Sequence, residues 1–371
     1  MKTDTLGGPR PAERLISLDL FRGIIMVLLM LESTGLYGGI ARHTSGVTQA
    51  LITQFFHHTW HGLRFWDLIQ PGFMFIAGTA LAFSLHKQDQ QGVPWRQSLG
   101  KQLKRSCWLF FWGVLDYAIR DHNLSFELWD VLTQLSFTSL VAFLIYRWSA
   151  GKQIAVSIGL LVLAEALYRL SNVPGFNQPF TDQHNFGNYV DWLLMRKVNP
   201  EGWVAINCLS TAAHTIWGVV AGKLLLSSRE GRAKVTLLVG AGIGCVVAGF
   251  LMDATVTPII KRIATTSFVL ASGGWVLLGL AAAYWWVDLL GHRRRLDFFT
   301  IVSMNSLFIY LFFEIVGNRW FTGYVTDLTT GLMRLASIPT PVTGVVAALA
   351  VFALEWKMCQ FLYRRGIFFK V

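Results

Sequence analysis

Residues 55–73 read FFHHTWHGLRFWDLIQPGF and gather His57, His58, His61, Arg64 and Asp67 at the mouth of an apolar segment. A neutral imidazole beside a reacting amine or hydroxyl takes its proton, and a carboxylate nearby fixes the ring's tautomer and orientation. His57 and His58 are candidates for that histidine, and Asp67 is the nearest carboxylate. Ionisable groups at membrane depth are expensive to hold and point to function. The other reading is an interfacial His/Trp cluster that anchors a helix among headgroups. His57 and His61 stand four apart, as do Trp60 and Arg64, so a helical segment would stack each pair. The same spacing occurs on metal-binding helices. Here His58 stands where a zinc-protease motif carries Glu, and no third ligand follows, so no metal is expected.

A second set of residues suits an anionic ligand. Arg22 lies in SLDLFRG (17–23) beside Asp19, and Lys104, Arg105 and the Arg293-Arg294-Arg295 run share its side of the chain's alternating loops. Topology-setting charge accounts for the triplet. Arg22 and Arg105, inside or at the edge of apolar segments, better suit a phosphate group between helices.

The elements that must position these groups are long apolar runs. Hydrophobic residues form 53% of the 371 and charged residues 14%, against about 25% charged in an average soluble chain. The reading is all-α: a polytopic membrane protein with helices near 17–33, 64–86, 104–120, 129–148, 153–169, 203–226, 234–252, 263–287, 298–316 and 341–362. The lipid bilayer replaces nucleic acid as the partner implied by the net charge of +11. Alternate loops divide the 32 Lys and Arg into sets of 22 and 10, which puts the richer set, and both termini, in the cytoplasm of a ten-helix chain. The expected organisation is one domain over 1–371, with a cytoplasmic segment 1–16 and longer extracytoplasmic loops at 34–63, 170–202 and 317–340. The first apolar segment reads as a retained helix rather than a removed signal peptide. Gly240 and Gly244 read as helix packing, and the four cysteines show neither a disulfide framework nor a zinc site.

In this order and spacing, the motifs resemble the transmembrane acyltransferases typified by heparan-α-glucosaminide N-acetyltransferase and their bacterial relatives. The resemblance is carried by SLDLFRG followed by H-x-x-W-x-G-x-x-x-x-D-L-x-x-P, then Pro200-Glu201-Gly202 with Asn207 and Gly218-x-x-x-Gly222-Lys223. Pro258-x-x-Lys261 with Ser267-Phe268-Val269-Leu270, and Asp288 before Met304-Asn305-Ser306, continue it. It implies an acyltransferase with acetyl-CoA as cytoplasmic donor, no permanently bound cofactor, and a saccharide amine or hydroxyl as acceptor on the opposite face. Its register selects His57 as general base or transient acetyl acceptor, with Trp60 and Asp67 matching. Glu32-Ser33 departs from the relatives, which carry Asn there, and leaves Ser33 or another donor to polarise the acetyl carbonyl. Relatives often carry Asn at the position of His61.

On this reading the catalytic candidates are His57, Asp67, Ser33 and His58. Arg22, Arg105, Lys104 and Asn305 face the donor, and Glu32, Trp60, His61, Arg64, Glu201 and Lys261 face the acceptor. The expected location is the cell inner membrane, and a homodimer stays open. The alternative is a multi-pass transporter or flippase for a sugar-linked or lipid-linked substrate, with the histidines as proton-coupled binding groups.

Overall fold

The computed structural model describes residues 15–118 and 124–369. Most of the expected segment 1–16 lies outside them, as do Lys2, Arg10, Arg14, Arg120 and Lys370. The helices are α1 (Ile16–Ser33), α2 (Leu36–Ala41), α3 (Gly46–Thr53), α4 (Ile69–Gln90), α5 (Trp95–Ala118), α6 (Val131–Leu144), α7 (Ala150–Leu170) and α8 (Phe186–Met195). They continue with α9 (Asn207–Leu226), α10 (Gly231–Thr255), α11 (Thr266–Tyr284), α12 (Asp297–Met304), α13 (Ser306–Leu311), α14 (Thr322–Leu335) and α15 (Thr340–Arg364). A 3-10 turn, Phe65–Leu68, leads into α4, and wider π-turns cover Trp285–Leu289 and Phe312–Phe321.

Six stretches among the described residues are long and apolar enough to cross a membrane: Phe65–Gln90, Ala150–Leu170, Asn207–Leu226, Gly231–Thr255, Thr266–Leu289 and Val342–Arg364. A seventh is added if Asp297–Met304 and Ser306–Leu335, bent by 73° at Asn305, are one broken span. The chain is a polytopic helical membrane protein. Each of the ten expected segments contains helix among the described residues, but three do not join these spans. Asp19, Arg22 and Glu32 interrupt α1, four ionisable groups interrupt the last three-quarters of α5, and α6 has only 14 residues. The expected loop 317–340 is helical as far as Leu335, with no buried residue in α14. Inside the expected loops 34–63 and 170–202 lie α2, α3 and α8.

The described residues pack as two compact units, one of residues 15–43 and 282–369, the other of 44–281. In the second unit α4 and α9 form the central pair. Lipid supplies little hydrophobic drive between helices, so their association depends on close backbone approach. A Cβ on Gly218 would lie 2.0 Å from the Phe75 carbonyl oxygen, and one on Gly78 1.9 Å from that of Thr215. Thr79 Oγ1 adds a hydrogen bond across the contact, donating to the Gly218 carbonyl at 3.1 Å. Gly242 and Gly249 let α10 approach α11, where Cβ atoms would meet Gly274 O at 3.0 Å and Ala271 N at 2.5 Å. Gly240 and Gly244, the expected packing pair, have nothing within 4 Å of a built Cβ, so the packing face of α10 is a neighbouring one.

Side-chain contacts also set the depth of each helix. Thr138 on α6 meets Met74 on α4 at 3.5 Å, while Ser106 on α5 donates to the Ser136 carbonyl at 3.1 Å. Lys104 and Arg105 are therefore level with the first two turns of α4. α5 starts at Trp95 rather than near 104, which moves both residues from a helix entrance to mid-helix. In the first unit α1 lies against α12, where a Cβ on Gly23 would come 2.4 Å from the Phe299 carbonyl oxygen.

Candidate active site

Asp67 closes the 3-10 turn that opens α4, and it is fully buried. Its Oδ2 accepts the backbone N–H groups of Arg64 at 2.9 Å and His58 at 3.3 Å. These two bonds fold residues 58–64 around the carboxylate and leave them non-helical, so the expected helical stacking of His57 on His61 is absent. Oδ1 faces His57, whose Nδ1 lies 3.1 Å away. Arg64 Nη1 donates to the His57 carbonyl at 2.9 Å, which fixes the backbone beneath the ring. The His57 side chain remains 39% exposed, so a substrate can reach the ring that the buried carboxylate orients.

Lys261, from the connection between α10 and α11, completes the cluster. Its Nζ lies 2.9 Å from His57 Nδ1 and 3.6 Å from Asp67 Oδ1, and its side chain is 6% exposed. The loop that carries it is held from within: Ser267 Oγ and Thr265 Oγ1 donate to the Pro258 carbonyl at 2.9 and 2.8 Å. The expected P-x-x-K and S-F-V-L motifs are thus one device for presenting a lysine. Burial, with the charges of Lys261 and then Arg262, pulls the His57 pKa below the usual imidazole range, against the opposing pull of Asp67. The ring is therefore mostly neutral at neutral pH and has a basic nitrogen to offer.

A second dyad clips the two loops together. His61 Nε2 lies 2.7 Å from Asp253 Oδ1, which also accepts the Ile259 N–H at 2.7 Å. The Gly62 N–H donates to the Ile259 carbonyl at 2.9 Å. Gly62 has φ 139°, and a Cβ there would lie 2.6 Å from His58 Nε2. His58 thus packs its ring over Gly62 and gives its backbone N–H to Asp67. Burial, then Arg64, lowers its pKa as well.

Trp203 forms a further wall. Its ring meets His57 edge-on with centroids 5.8 Å apart, and Lys261 Nζ lies 5.4 Å from its centroid. Its Nε1 donates to exposed Glu201 at 3.1 Å, which ties the expected Glu201 to the same place. Trp60 is set further back. Its Nε1 donates to the Phe180 carbonyl at 2.8 Å, and its ring packs under Gly202. Asp191 anchors this segment by accepting the Ala205 N–H at 2.9 Å and Trp129 Nε1 at 2.8 Å.

Of the expected site residues, then, the structure brings together His57, His58, Asp67, Arg64, Lys261 and Glu201, with His61 on the adjoining clip and Trp60 behind. Lys104 and Arg105 lie in the same unit on α5. Arg22, Glu32, Ser33 and Asn305 belong to the other unit. There Ser33 Oγ donates its hydrogen to the Met30 carbonyl at 2.8 Å, which leaves it none for an acetyl carbonyl in this arrangement. Asn305 is buried, with Oδ1 accepting the Phe369 N–H at 3.2 Å. Sequence reasoning missed Trp203, Asp253 and Arg262. Trp203 adjoins the Pro200-Glu201-Gly202 motif and was within reach, whereas Asp253 carries no local signal.

No family model matches the chain. It is similar over 96% of its length to heparan-alpha-glucosaminide N-acetyltransferase of Homo sapiens, at 24% identity. It is similar over 97% to the Mus musculus protein of the same name, at 23% identity. The chain spans 60% and 61% of the length of these relatives. The resemblance read from the motifs is borne out: the chain is a distant relative of these N-acetyltransferases.

Proposed function

We propose that this protein is a membrane acetyltransferase that moves an acetyl group from cytoplasmic acetyl-CoA to an amine or hydroxyl of an extracytoplasmic sugar. The observation that carries the reading is the His57–Asp67 dyad: an accessible imidazole whose inner nitrogen is 3.1 Å from a carboxylate that is itself fully buried and tied down by backbone N–H groups. With Nδ1–H directed at Asp67, Nε2 holds the free lone pair. It takes the acceptor's proton as the acceptor nitrogen or oxygen attacks the thioester carbonyl. The C–S bond breaks, and the departing thiolate of CoA recovers the proton from the imidazolium. A route in which Nε2 first takes the acetyl group uses the same atom and the same dyad. Lys104 and Arg105 on α5, expected to face the donor, lie level with the dyad's end of α4, so the donor's phosphates are assigned to Arg22 and Asn305, each an independent proposal. Glu201, Arg64 and Trp203 are proposed to border the acceptor.

The reading keeps ten crossings with both termini cytoplasmic in the cell inner membrane. The excess of basic residues in alternate loops supports it even with Lys101, Lys104 and Arg105 set aside as part of α5, as does the placement of the dyad at the opposite end of α4 from the Lys87–Arg96 connection. α1, α5 and α6 would cross among the more apolar helices, which shield their charges from lipid.

The test is purified protein in detergent with radiolabelled acetyl-CoA and a panel of amino sugars and oligosaccharides. His57→Ala is expected to lose transfer by about 10²- to 10⁴-fold, while His58→Ala keeps most of it. Full activity of His57→Ala sinks the site assignment. Uptake of a sugar into vesicles without acetylation favours the transporter.

A further inference from the structure

Two groups converge on one nitrogen of His57. Asp67 Oδ1 lies 3.1 Å from Nδ1, and Lys261 Nζ lies 2.9 Å from the same atom. A ring nitrogen has one in-plane direction, holding either a hydrogen or a lone pair. Asp67 can bond to Nδ1 only when that nitrogen carries the hydrogen. Lys261, which has donors alone, can bond only to its lone pair. The two contacts are mutually exclusive, and the choice is felt across the ring. With hydrogen on Nδ1, the outward Nε2 is a base. With Lys261 donating into Nδ1, the hydrogen sits on Nε2 and that nitrogen can only donate.

We propose that Lys261 is a positioning residue that competes with Asp67 for His57 Nδ1 and thereby sets whether His57 serves as a base. This deepens the functional reading above and rests on its choice of His57 as the reacting group. The ammonium is already 3.6 Å from Asp67 Oδ1, so a small swing moves it from the ring to the carboxylate. The ring hydrogen then passes from Nε2 to Nδ1 by exchange with water, with no net gain or loss of protons. In either position the cation opposes imidazolium formation.

The surroundings strengthen that opposition. Lys261 and Arg262, both from the connection between α10 and α11, oppose a proton on His57, and Asp67 of the 3-10 turn favours one. Arg64, His58 and His61 share the loop of His57, with His61 paired to Asp253. Trp203, on the remaining side, brings a neutral ring edge. Asp67 is the anion in contact with the ring, while Asp253 is held by His61 and Glu201 by Trp203, and Lys261 offsets Asp67. An unpaired Asp67 would hold a proton on His57 instead. The lowered pKa of His57 agrees with this arrangement.

The experiment is site-resolved labelling of the full-length protein by diethyl pyrocarbonate, which acylates neutral imidazole, followed by mass spectrometry between about pH 5 and 8. In Lys261→Met and in Lys261→Gln, the midpoint for His57 labelling is expected to rise by about one pH unit. Lys261→Arg keeps the charge and is expected to stay near the wild-type midpoint. In Lys261→Gln, 15N shifts of the labelled ring should report more Nδ1–H than in the wild type. Labelling of His86 and the melting temperature identify any variant that has not folded, and the glutamine variant retains a donor toward Asp67 if methionine is not tolerated. An unchanged midpoint in a folded neutral variant overturns the proposal. Labelling requires neither donor nor acceptor, so a shifted midpoint in a protein that transfers no acetyl group would defeat the functional reading and leave this assignment standing.

Discussion

At the scale of the residue, the protein holds a histidine by its inner nitrogen and leaves its outer nitrogen accessible. Asp67→Asn replaces the carboxylate with an amide that can donate to Nδ1 and stabilise the wrong tautomer. Acetyl transfer should fall by about two to four orders of magnitude, with little change in donor affinity. A drop of less than tenfold in kcat would show that Asp67 does not orient the ring. The pH dependence has a definite sign. The folded pKa of His57 is lowered, so the base stays free as the pH falls to the usual imidazole value, and loss of kcat/KM should begin only below about pH 6.5. An acidic limb above that value contradicts the assigned environment. The dyad was legible in the sequence because its members are ten residues apart and a local turn joins them. The Lys261 contact, across 204 residues, has no local trace beyond the Pro258-x-x-Lys261 motif, which the sequence alone places toward the acceptor rather than against His57. Nor could the sequence show that Ser33 donates to its own helix.

At the scale of the element, the site is two loops held in register. His61, Gly62, Asp253 and Ile259 join the turn before α4 to the loop before α11, so the distance from His57 to Lys261 depends on that clip. Gly62→Ala forces a side chain onto a backbone at φ 139° and against the His58 ring. It is expected to cost about 1–3 kcal/mol of stability and to lower kcat together with it, read by thermal melting and transfer rate. Wild-type melting and rate would remove the clip from the account. Gly218→Val meets the Phe75 carbonyl and must part α4 from α9, so it should abolish a monodisperse detergent-purified protein. Apolar runs made the helices readable, but their limits followed charge too closely. Basic residues in the first half of α5 look like a connection, although α5 runs from Trp95 with them in mid-helix. Gly317, Asn318 and Arg319 look like a loop and lie in a π-turn. On α10, Gly240 and Gly244 had the spacing of a packing pair, but which face meets α11 is decided by the partner's shape, and that face holds Gly242 and Gly249.

At the scale of the whole molecule, the chain has two compact units, and the dyad with its lysine lies entirely in that of residues 44–281. The division was not legible in the sequence because the first unit is assembled from the two ends of the chain, with no linker composition to mark it. The membrane character was legible, since apolar runs of spanning length survive as helices at six places. The central claim is that an acetyl group is passed from one side of that membrane to the other, and its most direct test uses sealed vesicles. The protein is reconstituted with an accepting amino sugar trapped inside and radiolabelled acetyl-CoA supplied only outside. The account predicts labelled acetyl-sugar in the lumen, made by the wild type and absent with His57→Ala. Labelled product appearing only on the donor's side, or equal lumenal product from the His57→Ala vesicles, would contradict it.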